Sequence, residues 1–195
     1  MLVAKVLFVK PVPNKKRIQL GTLEDGEDCT YTVSEATYSL LEYPTAGAEI
    51  SEKDLGTVRF EDECYRALRR AMGYLSLSDK SRYALKVKLL RAGFCAEASD
   101  AALDRLLELG YLDESRQLER AVEKEANYNL RGRYYVMRKL SSKGYSHSAI
   151  NRAIDGLTDS GEVDFAANLE RLFEKKCATS EEEREALRYK FGYKI

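Results

Sequence analysis

Hydrophobic positions change period along this chain. Over residues 1 to about 60 they tend to alternate. Residues 2–9 form a short apolar run that ends at Pro11, Val12, Pro13 and Asn14. In residues 17–23, Ile18, Leu20 and Thr22 share one face. The turn residues Glu24, Asp25, Gly26 and Glu27 follow, and Cys29, Tyr31 and Val33 alternate again. Period-two runs separated by turn residues predict strands, here three in a small meander. Ser34 is placed to cap a short helix through Leu41, which Pro44 and Gly47 terminate.

From Asp62 onward the period is helical, and no proline follows Pro44. Gly93, Gly110, Gly144, Gly161 and Gly192 each close an apolar-periodic stretch. That placement fits the left-handed residue that ends many helices. Ser78, Ser99, Asp113, Asp164 and Ser180 are the expected N-caps, and Ser180 with Glu183 spells a capping box.

The helical part repeats with a period of 51. Asp62, Asp113 and Asp164 fall at that offset, each at an expected helix start. So do Arg82, Arg133 and Arg184, then Leu85, Val136 and Leu187, then Lys88, Lys139 and Lys190. Gly93-Phe94 recurs as Gly144-Tyr145, and Leu103, Leu106 and Gly110 recur as Ile154, Leu157 and Gly161. The expected organisation is a β-rich segment over residues 1–60, three-helix repeats over 61–111 and 112–162, and an incomplete helical repeat over 163–195. Gly192 comes three residues early for a strict match to Gly144. The fold class is therefore mainly α: tandem three-helix repeats in an elongated, curved array behind a small β-rich N-terminal segment.

Charge sharpens this picture. The 195 residues carry 32 basic and 32 acidic side chains, so uniform affinity for polyanions is not expected. The neutral total hides alternating blocks. Residues 65–91 hold eight bases and one acid, and residues 94–126 hold nine acids and four bases. Residues 127–152 hold six bases and no acid, and residues 153–187 hold ten acids and four bases. Two readings are open. The blocks can neutralise one another within the chain. Alternatively, the middle helices of successive repeats line one basic face, with Tyr83, Tyr134 and Tyr135 beside the arginines. The residues of that expected face are Arg82, Lys86, Lys88, Arg91, Arg131, Arg133, Arg138, Lys139 and Lys143.

The sequence offers little for catalysis. There is no phosphate-binding GxxxxGK[ST] and no GxGxxG after a strand. His147 is the only histidine, and it lies near a helix start. Cys29, Cys64, Cys95 and Cys177 are far apart in sequence and make no CxxC, so reduced, ordinary cysteines are expected and no metal site. No apolar run reaches the ~20 residues of a membrane span, and the N-terminal residues do not read as a secretory signal. The expectation is a cytoplasmic protein without catalytic residues, cofactor, metal or small-molecule substrate.

Several stretches, taken in order, resemble the RecX family. Residues 74–94, YLSLSDKSRYALKVKLLRAGF, are similar to its signature, in which a "YLS" helix end leads to a serine-initiated helix and a "KLxxKGF" close. Residues 103–114, LDRLLELGYLDE, resemble the segment that follows. Residues 129–133 and 139–145 resemble the second repeat. The N-terminal strands, with Lys15, Lys16 and Arg17 and with residues 26–31, are similar to the β-segment of RecX proteins from Gram-positive bacteria. Ala84 departs from the glutamate usual there, and the third repeat matches poorly. The resemblance implies a regulator that binds the filament of RecA on single-stranded DNA and limits its growth, recombinase and co-protease activities. A weak direct contact with DNA is a further expectation. The alternatives are a helix-turn-helix-like DNA-binding regulator and a helical protein-interaction scaffold.

Overall fold

The computed structural model describes residues 4–13 and 15–193. Leu2 and Val3 of the first apolar run, Asn14 of the following turn, and Ile195 lie outside the described residues. Among the described residues the chain is mainly helical, with nine α-helices, a π-helical turn and four strands.

The three expected strands are present as β1 (Ala4–Pro11), β2 (Arg17–Glu24) and β3 (Glu27–Ser34). Asp25 and Gly26 both take positive φ, which closes the two-residue hairpin between β2 and β3. A fourth strand, β4 (Glu49–Ile50), has no signal in the sequence pattern; two residues are too few to show a period. The sheet is antiparallel in the order β3-β2-β1-β4. Ser34 caps α1 (Glu35–Leu40), its hydroxyl accepting from the Thr37 N–H.

Helix α2 (Glu52–Leu77) begins well before Asp62, where the helical period becomes legible. Its first turns cover the sheet. Leu55 and Val58 join Ala4, Val6, Leu20, Val33 and Ile50 in one buried cluster. Asp62 is consequently not a helix start. It is buried inside α2, where its carboxylate accepts from the Thr32 N–H of β3 at 2.9 Å and from Arg66 Nε at 2.7 Å. The repeat aligns Asp62 with Asp113 and Asp164 in sequence, but it pins helix to sheet while the other two cap helices.

After α2 come α3 (Arg82–Arg91), α4 (Ala96–Glu108), α5 (Glu114–Glu123) and a π-helical turn (Lys124–Tyr128). Then follow α6 (Arg133–Ser142), α7 (His147–Asp159), α8 (Phe165–Lys176) and α9 (Glu181–Phe191). The period of 51 survives in the element boundaries. Helices α3 and α6 start at 82 and 133, α4 and α7 at 96 and 147, and α5 and α8 at 114 and 165.

All five predicted stop glycines have positive φ. At the ends of α3, α6 and α9 the residue after the glycine folds back. Phe94, Tyr145 and Tyr193 donate their N–H groups to the carbonyls of Leu89, Leu140 and Arg188. This is the Schellman closure, which satisfies carbonyls the helix leaves open. Asp113, Asp164 and Ser180 are N-caps, the last with its capping box. Two expected caps are corrected. Ser81, not Ser78, receives the Ala84 N–H at the start of α3. Cys95, not Ser99, caps α4 through its sulfur, and Ser99 is buried inside the helix with its hydroxyl donating to the Cys95 carbonyl.

Residue contacts divide the chain into two compact units. One comprises Met1–Tyr74 with Lys86–Leu109, the other Leu75–Leu85 with Gly110–Ile195. The first contains the sheet cluster. The second has a core of Leu118, Val122, Ala126, Val136, Leu140, Tyr145, Ile150, Ile154, Leu157 and Val163. A smaller cluster there joins Leu130, Leu172 and Tyr193.

Candidate functional site

The second unit repeats one contact twice. At the end of α6 the Lys143 carbonyl accepts the Ser81 hydroxyl proton at 2.8 Å, just before the first turn of α3. A Cβ on Gly144 would lie 2.7 Å from the Tyr83 ring and 2.9 Å from Ser81 Oγ. At the end of α9 the Phe191 carbonyl accepts from the Gly132 N–H at 2.9 Å, and the Gly192 carbonyl from the Tyr134 N–H at 3.2 Å. A Cβ on Gly192 would lie 2.5 Å from Tyr135 Cβ. The carbonyl end of each middle helix thus docks on the amide start of the middle helix before it. At the start of α6 orphan N–H groups meet the carbonyls, while at the start of α3 the donor is the Ser81 hydroxyl; in both, opposite helix-dipole ends adjoin.

Against this junction lies a cleft of about 510 Å³, lined by Tyr134, Tyr135, Arg138, Tyr189, Lys190 and Tyr193 of α6 and the α9 end, with Gly192. Two of its rings are open to solvent, Tyr134 (53% exposed) and Tyr189 (88%). The others are engaged. Tyr135 carries the Arg131 guanidinium 4.3 Å from its ring centre, and that guanidinium also lies 4.4 Å from the Phe191 ring. Tyr193 is buried and donates its hydroxyl proton to the Leu130 carbonyl. Burial pushes the Tyr193 phenol up to about 12, against the pull of Arg131 and Arg171. Among the described residues no acid lines the cleft.

The nine residues of the expected basic face are in different circumstances. Three are neutralised by nearby acids, as the first of the two charge readings has it. Lys139 Nζ lies 2.7 Å from the buried Glu125 carboxylate, Arg133 pairs with Asp155 at 2.7 Å, and Lys86 with Asp100 at 2.7 Å. Arg131 is held between two rings. Arg82 is half-buried, and its N–H donates to the Glu114 carboxylate. Lys88 lies over the Tyr74 ring at 5.3 Å. Arg91, Arg138 and Lys143 are exposed. Lys86, Lys88 and Arg91 belong to the first unit and the other six to the second. Sequence reasoning missed Tyr189 and Lys190 of the cleft. The 51-residue period carried the signal, since Lys190 is the counterpart of Lys139.

Other candidate chemistry stays apart. His147 is exposed at the start of α7, with Nε2 3.2 Å from Ser141 Oγ. All four cysteines are free. Burial raises the Cys64 thiol, with help from Cys95 and the acids Glu63 and Glu61. At Cys95 the Ala98 N–H favours the thiolate, but burial and Glu63 outweigh it. Both therefore stay protonated at neutral pH, unlike a reactive or metal-binding thiolate. Among the described residues no cluster of His, Cys, Asp and Glu has the makings of a metal site, and no helix is long and apolar enough to cross a membrane.

Comparison with known proteins places this architecture among regulatory proteins of the RecX type. The family model for the first three-helix domain of RecX matches residues 67–106. Regulatory protein RecX of Pseudomonas savastanoi pv. phaseolicola is 36% identical over 110 residues, covering 56% of this chain and 68% of that protein. RecX of Pseudomonas entomophila is 33% identical over the same length and the same shares. The chain belongs to the RecX family. RecX of Lactobacillus johnsonii is 28% identical over 156 residues, which is 78% of this chain but 56% of that longer relative; with the Lactobacillus gasseri protein the share is 58%. A crystal structure of regulatory protein RecX has the same fold, with a TM-score of 0.65 at 22% identity over 94% of this chain and 89% of the other. RecX from Lactobacillus salivarius gives a TM-score of 0.54 at 19% identity, over 67% of this chain and 86% of that one.

Proposed function

We propose that this chain modulates RecA: it binds the filament of RecA on single-stranded DNA and restrains its growth, and with it strand exchange and co-protease activity. It acts by binding, without chemistry of its own, in the cytoplasm. In this reading the working elements are the tandem repeats 61–111, 112–162 and 163–195, whose boundaries differ from those of the two compact units.

The observation that carries the reading is the junction made twice in the second unit, where the last carbonyls of one middle helix accept hydrogen bonds from the start of the middle helix before it, from the Ser81 hydroxyl at α3 and from backbone N–H groups at α6. A surface built by repetition suits a partner built by repetition. Arg138, Lys143 and Lys190 are among its cations without a described acid partner, and Tyr134 and Tyr189 stand exposed beside Arg138 and Lys190 in the cleft. Aromatic and arginine side chains of this kind are enriched at interfaces.

Sedimentation tests the proposal. The chain should pellet with RecA filaments formed on single-stranded DNA, and should stay in the supernatant with unassembled RecA. Equal recovery with and without assembled filaments would overturn filament recognition and return the helix-turn-helix and scaffold readings to the front.

A further inference from the structure

The first unit holds a second cationic surface, outside the nine residues of the expected face except for Lys88. It forms where the β1–β2 hairpin meets the exposed side of α2. Three cations surround one ring: Arg17 at 4.2 Å from the Tyr65 centre, Lys15 at 6.0 Å and Arg69 at 6.0 Å. Lys15 also donates to the Tyr65 hydroxyl at 3.2 Å. About two turns further along α2, Tyr74 is flanked by Arg70 and Lys88, each 5.3 Å from its ring centre. The sequence separates these residues widely, and folding gathers them.

The acids at hand do not balance this charge. Glu61 meets Arg17 at 3.4 Å while also accepting the Ser34 N–H, and Asp62 is taken by Arg66 and the Thr32 N–H. Among the described residues Lys15, Arg69, Arg70 and Lys88 have no carboxylate partner. Cations so grouped repel one another, and the two rings offset only part of that cost, about 0.5–1 kcal/mol per exposed cation–π contact. A polyanion would relieve the rest.

We infer that the hairpin–α2 surface binds the phosphodiester backbone of a nucleic-acid strand directly, with no need of a partner protein. The rings decide backbone over base. Tyr65 and Tyr74 are half-buried and their surroundings are taken by cations, so neither offers an open face on which a base could stack. Recognition is therefore indifferent to sequence and strongly dependent on salt. The inference does not rest on the RecA reading, because it concerns nucleic acid alone.

The test is fluorescence anisotropy of labelled oligonucleotides, single-stranded and duplex, titrated with the full chain over a series of salt concentrations and without RecA. The variant Lys15→Glu/Arg69→Glu/Arg70→Glu should bind at least about tenfold more weakly. Its salt slope should fall by roughly one for each phosphate that is no longer neutralised. Reversal of equal charge elsewhere, Lys53→Glu/Lys175→Glu/Lys176→Glu, should leave affinity within about twofold. The single-stranded and duplex arms identify which strand form the surface prefers. Binding by the first variant equal to the parent's, at unchanged helicity, would overturn the inference. So would equal losses in both variants, or competition by polyglutamate as effective as by unlabelled oligonucleotide.

Discussion

Gly132 and Gly161 are needed for different reasons, and alanine separates them. Gly161 has φ of +78° with open space where a Cβ would go, so alanine there meets only backbone strain, ~1–2 kcal/mol. Gly132 has ordinary φ, but its Cβ would lie 2.3 Å from the Gly192 carbonyl oxygen, so alanine must push apart the α6–α9 junction. Urea denaturation should show Gly132→Ala costing about 3 kcal/mol, the top of the usual overpacking range because the clash is with backbone, and so more than Gly161→Ala. Tyr193, at the same junction, gives a pH signature. Its phenol ionises near 10 when exposed and at about 12 in the folded chain. The stability it contributes is complete below pH 10 and is lost as pH rises through 12. Melting temperatures should fall between pH 10 and 12, and Tyr193→Phe should lessen that fall. At this scale the stop glycines were legible, because few other residues tolerate left-handed φ. Ser78 and Ser99 misled, since serine near a helix start is common and only tertiary contacts choose the cap. The repeat held the better clue: Cys95 is the counterpart of Ser146, which caps α7.

Element boundaries were legible where the period repeats and illegible where it does not. The equal starts of α3 and α6, of α4 and α7, and of α5 and α8 follow from the 51-residue pattern. The start of α2 was hidden, because its first turns pack on a sheet rather than on a helix and Gly56 interrupts them. The π-helical turn before α6 left no mark either. It buries Glu125 (5% exposed), whose carboxylate accepts from Lys139 and Asn129. This separates two ion pairs that look alike in sequence. Lys139→Met should cost about 1–3 kcal/mol, because it strips a buried carboxylate of its charged partner. Arg133→Met breaks an exposed pair with Asp155 and should cost under about 1 kcal/mol. Thermal or chemical denaturation of the two variants checks the order.

For the whole molecule, the sequence showed how charge is distributed but not where it is neutralised. Residues 127–152 read as uniformly basic, yet Lys139 and Arg133 find acids that lie outside that block. The sequence also kept the hairpin cations apart from those of α2, which only the fold unites at Tyr65. Arg138 and Lys143, two of the cations left over in the second unit, are the ones to reverse. Arg138→Glu/Lys143→Glu should reduce inhibition of RecA severalfold at normal helicity while leaving RecA-independent oligonucleotide binding in place. The measurement that bears most directly on the account is ATP hydrolysis by RecA assembled on single-stranded DNA, with the chain added well below stoichiometry. Progressive loss of hydrolysis, from few chains per filament, is the predicted result. Undiminished hydrolysis even at equimolar chain, with the cognate RecA, would contradict it.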